Sequence, residues 1–349
     1  MAGFIGCCIF NGGKLAKNER WFFNREKIEV VNNYNYLGIT LSSKLTFHSH
    51  LKEKLSKAKQ GINTLWKYLI ETNNVEYNSK LRFFNAVSRS IVCYGAQVWG
   101  GVYYDELEKL FRFFVERLFR LPMFVPMAFI YNELGYLPIF THTFKLHCNY
   151  ILKVFNMPDS RLPKLVAKHI VEKQLYWFKA ILKLMDQCEL NLEINLSNIN
   201  RWSDIFGRLQ NRISLNFKAQ IANKVIEHDS YPLYRALKFD LGNNHYLRCN
   251  LPLEHTRWLM KARVGILKLG SSAPYQRVEN DTCQLCNDIV TDGVYHFIAS
   301  CPRLSDIRLG YFGQLQLSGE EALAYMNGRN WVSTVSYIKA AYVHVLNYS

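Results

Sequence analysis

The stretch "FHSHLKEKLSKAKQGINTLWKYL", Phe47 to Leu69, decides the fold class. Leu51, Leu55, Ala58, Ile62, Leu65 and Leu69 recur at steps of three and four, the stripe of an amphipathic helix. Lys52, Lys54, Lys57 and Lys59 fall mainly off that stripe, and His48 and His50 open it. Between Lys44 and Lys67 there are six lysines against one acid, Glu53. The pattern predicts a helix with one face in a core and a basic face in solvent.

Upstream the period shortens. "RWFFNREKIEVVNNYNYLGITL", residues 20–41, has short apolar runs at Trp21–Phe23 and Ile28–Val31 around Asn24-Arg25-Glu26 and a third run, Tyr36 to Leu41, that carries Gly38; it predicts two or three short antiparallel strands. Downstream the helical period returns in "SKLRFFNAVSRSIVCYGAQVWGG" and "ELEKLFRFFVERLFRL", punctuated by Gly95, Gly100 and Gly101 and stopped by Pro122. His142 and His147 read as flanking an apolar turn. Residues 161–187 predict one lysine-rich helix, 188–200 have no clear period and read as a linker, and further helices are expected near 203–228 and 254–268. "EEALAYMNG" and "WVSTVSYIKAAYVHVL" predict two closing helices. The fold class is therefore mainly α, with a small N-terminal antiparallel β-hairpin region.

Composition narrows the function classes. With 349 residues, 49% of them hydrophobic, the chain can bury a core and spans two or three folding units. A net charge of +15 points to a polyanionic partner, nucleic acid first, because each neutralised phosphate releases condensed counterion. A merely solvated basic surface is the alternative. The opening "MAGFIGCCIF" lacks the basic n-region of a signal peptide, and no apolar run approaches the ~20 residues that span a bilayer. Nine cysteines, an odd number and mostly scattered, fit a reducing, intracellular setting (nucleus or cytoplasm) better than a disulfide framework.

Three of those cysteines cluster. "CQLCNDIVTDGVYHFIASC", Cys283 to Cys301, has the spacing C-x2-C-x9-H-x4-C. A C-x2-C pair offers two thiolates from one tight turn, and His296 and Cys301 would complete a tetrahedral set for Zn2+. Thr291-Asp292-Gly293 provides a loop or small hairpin between the halves. A closed set of Cys283, Cys286, His296 and Cys301 leaves no open coordination position, so such a zinc would be structural; removing it is expected to loosen residues 281–303 and leave the helices mostly intact. The alternative is a reduced cysteine pair beside an ordinary core histidine.

Motifs for catalysis are missing. "NGGKLAKN" lacks P-loop spacing, no G-x-S-x-G occurs, and no two aspartates are adjacent to hold the metal ions of nucleotidyl transfer. Asp105-Glu106 is the nearest pair, and its place at a helix start suits acids without any metal.

The order of these segments resembles the C-terminal part of non-LTR (LINE-type) retrotransposon reverse transcriptases, closest to the Jockey-like kind. "NGGKLAKNERWFFNREKIEVVNNYNYLGITLSSKLTFHSHLKEKLSKAKQGINTLWK" is similar to the segment after the catalytic palm, where Tyr36-Leu37-Gly38 matches the family's primer-grip hairpin and a helical thumb follows. "SRSIVCYGAQVWGG" resembles the thumb-to-connector segment, "CQLCNDIVTDGVYHFIASCPRLSDIR" the cysteine-rich knuckle, and "ALAYMNGRNWVSTVSYIKAA" the closing helices. The likeness spans roughly residues 9–345, while "MAGFIGCC" departs from the family pattern.

The resemblance implies a primer-grip-like β remnant over 1–45, a helical thumb/connector-like domain over 46–187, a helical linker region over 188–280, a zinc-knuckle-like module over 281–310 and C-terminal helices over 311–349. It puts the endonuclease, the fingers and the Tyr-x-Asp-Asp palm upstream of this chain. The expected function is then non-catalytic, non-specific binding of RNA or DNA duplex. Its phosphate contacts are expected from Lys52, Lys54, Lys57, Lys59 and Lys67, from the lysines of 161–183, and from Arg257, Lys261, Arg263 and Lys268. Two other readings remain open: part of an active RNA-directed DNA polymerase whose palm is on a separate chain, and a helical protein-interaction module. An exposed apolar face on the N-terminal hairpin is expected where a palm would pack.

Overall fold

The computed structural model describes residues 6–7, 20–23, 25–73, 75–227, 232–237, 245–269, 281–290 and 293–348. The fold is mainly α, and among the described residues the short two-stranded pairings lie within residues 6–42 and 281–290.

Two compact units emerge, each built from three segments: Met1–Thr64, Phe84–Phe111 and Ile139–Ile213 in the first, Leu65–Phe83, Arg112–Pro138 and Ser214–Ser349 in the second. Neither unit is one continuous run of sequence. An amphipathic helix must cover its apolar face, and here the cover comes from distant segments.

In the first unit, Phe22–Phe23 pairs antiparallel with Glu26–Lys27, and Asn33–Tyr36 with Ile39–Ser42, as expected. Glu29–Val30 instead pairs parallel with Gly6–Cys7, which the sequence pattern does not predict. Leu37 and Gly38 form the two-residue hairpin loop with φ of 48° and 78°, both left-handed, the turn whose twist matches the strands it joins. The helix His48–Leu65 buries Leu51, Ala58 and Ile62 as its stripe predicts; Leu69 lies beyond its end and is exposed. His50 is buried with both ring nitrogens engaged: the Thr40 N–H donates to Nδ1 (3.2 Å) and Nε2 donates to the Tyr94 carbonyl (3.1 Å).

"WGG" has a packing cause. The short helix Ala96–Trp99 lies against Phe140–Phe155, and a Cβ on Gly100 would come within 2.4 Å of the Thr143 carbonyl oxygen. The helix Phe140–Phe155 carries both His142 and His147, where the sequence suggested a turn between them. The apolar residues of "YLPIFTHTF" continue into a helical stripe, with Phe140, Phe144, His147, Cys148 and Ile151 buried.

The single helix expected over 161–187 is two, Leu162–Glu172 and Tyr176–Gln187, because Gln174 and Tyr176 take positive φ and the Leu175 N–H closes back on the Ile170 carbonyl. Nor is 188–200 a linker. Ile194 is buried, Asn195 forms a capping box with Asn198, and both accept from the Trp202 indole N–H (3.0 Å to the Asn195 carbonyl, 3.1 Å to Asn198 Oδ1). Trp202 is fully buried against Phe155, Phe178 and Phe206.

The second unit is organised by Glu133 at the end of the helix Met127–Leu134. Both its oxygens lie 3.0 Å from Arg263 Nε, and Oε2 also accepts from the Tyr246 hydroxyl (2.7 Å). The guanidinium reaches the Met326 carbonyl and sits near the rings of Tyr246 and Trp331. The helices near 254–268 and at the C-terminus run Leu253–Arg263, Gly319–Met326 and Trp331–Tyr348, and a further helix, Ser305–Phe312, precedes the last two.

Candidate metal centre and basic surface

Cys283 and Cys286 sit in a tight turn closed by a two-residue pairing, Asp281–Thr282 with Ile289–Val290. The Cys283 N–H donates to the Asp288 carbonyl and the Asn287 N–H to the Cys283 carbonyl, both at 2.9 Å, and Asn287 takes a left-handed φ of 62° to turn the chain. The pairing thus brackets the C-x2-C turn, and its second strand, Ile289–Val290, takes up part of the nine-residue spacer, of which Thr291 and Asp292 lie outside the described residues.

The other half is a wide helical turn, His296–Ser300, closed by the Cys301 N–H donating to the His296 carbonyl (2.8 Å). A bond across five residues brings an H-x4-C pair onto one side of the turn. The four ligand atoms lie within 4.8 Å of one another, close enough for one metal ion. Cys286 Sγ is 3.3 Å from His296 Nε2, Cys283 Sγ is 4.0 Å from Cys301 Sγ, and His296 Nδ1 is 3.2 Å from Ser300 Oγ, which orients the ring. A small cavity at the cluster is walled by Leu269, Leu285, Phe297, Leu304 and Val345.

The sulfurs are set against one another. Hydrogen bonding with Cys301 holds the Cys283 thiol well below its ordinary range, helped by His296 and by the backbone N–H groups of Cys286 and Leu285. The same bond pushes the Cys301 thiol up, and burial pushes Cys286 up. One proton between two thiols is a compromise that a divalent cation removes, since it favours every sulfur as thiolate.

The module is tied to the helices that follow it. Arg308, 1% exposed, donates from Nε to the Ile298 carbonyl (2.9 Å), from one terminal nitrogen to the Cys301 carbonyl (3.0 Å) and from the other to the Leu315 carbonyl. The Tyr337 hydroxyl, on the helix Trp331–Tyr348, donates to the Phe297 carbonyl, and the Leu317 N–H to the Ala299 carbonyl (3.0 Å). The expectation that only 281–303 depend on the metal omits these bonds. Sequence reasoning missed Arg308, although a signal exists: it falls on the apolar stripe Leu304, Arg308, Phe312, where a solvated arginine has no place.

The cationic residues divide sharply. Lys52, Lys57 and Lys67 are exposed; Lys54 and Lys59 are half-buried, Lys54 over the Tyr94 ring at 4.7 Å, and Lys57 reaches Glu53 at 2.6 Å. Lys52 to Lys59 belong to the first unit and Lys67 to the second. Lys173, Lys179 and Lys183 are exposed, whereas Lys164 and Lys168 pair with Asp159. In the last cluster Lys268 is exposed and Lys261 half-buried, but Arg257 and Arg263 are buried at 4% and 1% exposure. Arg263 is held by Glu133, and Arg257 donates to the Leu118 carbonyl (2.8 Å) and pairs with Glu254 (3.3 Å). As phosphate contacts these two arginines are corrected: their donors face protein carbonyls and carboxylates, not solvent.

Tyr36-Leu37-Gly38 forms the tip of the hairpin, with Leu37 75% exposed and its carbonyl accepting from the Tyr94 hydroxyl (2.9 Å). Trp21, Phe22 and Phe23 are exposed nearby in sequence. Asp105 and Glu106 open the helix Asp105–Phe119, where Glu106 meets His48 Nδ1 at 2.8 Å. No helix among the described residues is long and apolar enough to cross a membrane. Compared with models of protein families, with curated proteins and with solved structures, the chain matches none.

Proposed function

We propose that this chain is a non-catalytic binder of RNA or DNA duplex, derived from the C-terminal part of a LINE-type reverse transcriptase and stabilised by one structural Zn2+. The observation that carries the binding reading is the helix His48–Leu65, whose Leu51, Ala58 and Ile62 are buried while Lys52 and Lys57 stand in solvent beside the half-buried Lys54 and Lys59. Such a face meets phosphates without reading bases. Exposed Lys179 and Lys183, one turn apart on Tyr176–Gln187, extend the same unit's supply of cations.

The zinc reading rests on donor type and spacing. A tetrahedron with Zn–S bonds of ~2.3 Å and a Zn–N bond of ~2.05 Å has edges of about 3.8 Å between sulfurs and about 3.6 Å from sulfur to nitrogen. The separations of 4.0 and 3.3 Å differ from these by a few tenths of an ångström. Three thiolates and one imidazole are the soft, closed set of a structural site.

The binding test is a titration of labelled RNA–DNA hybrid against salt. With about five phosphates engaged, log affinity should fall with log salt at a slope near −4.5, roughly −0.9 per contact. A flat dependence, or no binding at low salt, rejects the reading. Primer extension with Mg2+ or Mn2+ is expected to be at background, and activity that disappears on changing Asp105 and Glu106 to Ala would overturn the non-catalytic part. The exposed Trp21, Phe22, Phe23, Tyr36 and Leu37 favour a second reading in which this surface packs on a separate palm-bearing chain; extension gained on mixing with a palm segment would establish it.

A further inference from the structure

The second unit buries two arginines to the same depth and treats them differently. Arg263 and Arg308 are each 1% exposed. Arg263 has the Glu133 carboxylate at 3.0 Å. Arg308 donates to the carbonyls of Ile298, Cys301 and Leu315, and among the described residues it has no carboxylate partner. Neutral carbonyls satisfy its donors but do not balance its charge. A guanidinium taken out of water without a counter-ion is unfavourable even when its donors are hydrogen-bonded.

The missing charge has a source three residues from one of its bonds. Zn2+ with three thiolates and a neutral imidazole carries one negative charge in excess. Arg308 holds the backbone in the middle of the ligand turn, at Ile298, and at its end, at Cys301, which is itself a residue of the cluster. Tyr337, which anchors Phe297, feels both Arg308 and the Cys301 sulfur, so all three groups share one buried neighbourhood.

We propose that Arg308 is the counter-ion of the metal centre: the loaded cluster, net −1, and the buried guanidinium, net +1, form one neutral unit, and each is unstable in the fold without the other. This rests on the zinc reading above. Arg308 touches no metal and is a positioning residue that acts on the ion through charge. Its dependence runs in both directions. Loading supplies Arg308 with its partner, and Arg308 raises the affinity of the thiolate set for the ion.

The test is a charge cycle on the full chain, with Zn2+ affinity read by competition against a chelator. Arg308→Met should weaken binding about 10- to 100-fold, the usual effect of losing a partner just outside the ligands. Cys286→His, at the most exposed of the three cysteines in the cluster, converts the set to two thiolates and two imidazoles and removes the excess charge. In that background Arg308→Met should change affinity by no more than about threefold, because the coupling between charges is gone. Equal losses in both backgrounds would mean that Arg308 acts by shape alone and would overturn the proposal. Arg308→Lys keeps the charge and loses the fork. It should fold with zinc and bind within about tenfold of the natural chain, so its failure to fold or load overturns the proposal even if the methionine variant cannot be folded. A natural chain that takes up no zinc overturns the zinc reading and this inference together; normal uptake with an unchanged Arg308→Met affinity overturns this inference alone.

Discussion

Arg263→Met separates a structural arginine from a nucleic-acid contact. The side chain is buried, its Nε lies 3.0 Å from both Glu133 oxygens, and it reaches the Met326 carbonyl. Methionine fills much of the volume but leaves the Glu133 carboxylate, fully buried, without its cation beside the Tyr246 hydroxyl at 2.7 Å. Breaking a buried pair from one side destabilises by about 3–5 kcal/mol. With an m value of about 2.5 kcal/mol/M in urea, the midpoint should fall by about 1.5 M. Replacing both partners, Arg263→Met with Glu133→Leu, should recover most of that loss, since an apolar pair of similar volume is often no worse than the ion pair. The salt dependence of duplex binding, measured below the unfolding transition, should keep its slope. The reasoning is refuted if Arg263→Met leaves the urea midpoint within about 0.3 M, or if the slope becomes shallower by about 0.9 as it does when a phosphate contact is removed.

Lys52→Gln and Lys57→Gln should behave in the opposite way, each flattening the salt slope by roughly 0.9 without moving the urea midpoint; an unchanged slope in the double variant would take this helix out of the interface. Metal analysis should find one zinc per chain, and chelation should raise amide exchange around Tyr337 as well as in 281–303, because Tyr337 holds the Phe297 carbonyl; exchange confined to 281–303 would show that the closing helix stands independently. His50 and His147 should remain neutral below pH 6.5, burial lowering both. The unfolded chain then binds more protons than the folded one as pH falls through 6.5, so this contribution is complete above 6.5 and is lost on the acid side; ring-proton NMR titrations with midpoints at or above 6.5 would reverse the sign.

What could be read from the sequence depended on how far apart the cooperating residues lie. The stripe Leu51, Ala58, Ile62 and the set Cys283, Cys286, His296, Cys301 are short-range patterns, and the structure buries the first and gathers the second. The hairpin loop Leu37-Gly38 was not legible from periodicity, which ran one strand from Tyr36 to Leu41 through Gly38; only the resemblance suggested a hairpin there. Arg263 was misread because nothing within its own helix reveals Glu133, 130 residues away. The linker at 188–200 failed similarly: Asn195 looks like loop polarity until Trp202 is seen donating to its carbonyl. Local left-handed residues were missed at Gln174 and Tyr176, where neither glycine nor asparagine marks the break. Arg308 is an intermediate case, since its position on an apolar stripe was visible but the carbonyls it donates to, at Ile298, Cys301 and Leu315, carry no mark in the sequence.

The alternation of segments between the two units has a consequence for how the protein is made. Synthesis proceeds from the N-terminus, and the first unit needs residues up to Ile213 before its last segment exists. By then Leu65–Phe83 and Arg112–Pro138 have already left the ribosome and must wait, apolar faces uncovered, for residues that run to Ser349. Glu133 emerges well before Arg263, and Lys80, buried in the finished unit, before either. The first unit has all its segments once Ile213 is made, whereas the second gains its last segment only afterwards, and the division falls inside the continuous helix Trp202–Ile226. The two units therefore cannot fold as independent blocks in chain order, and the yield in a cell should depend on holdase chaperones that shield the early helices of the second unit until its last segment emerges.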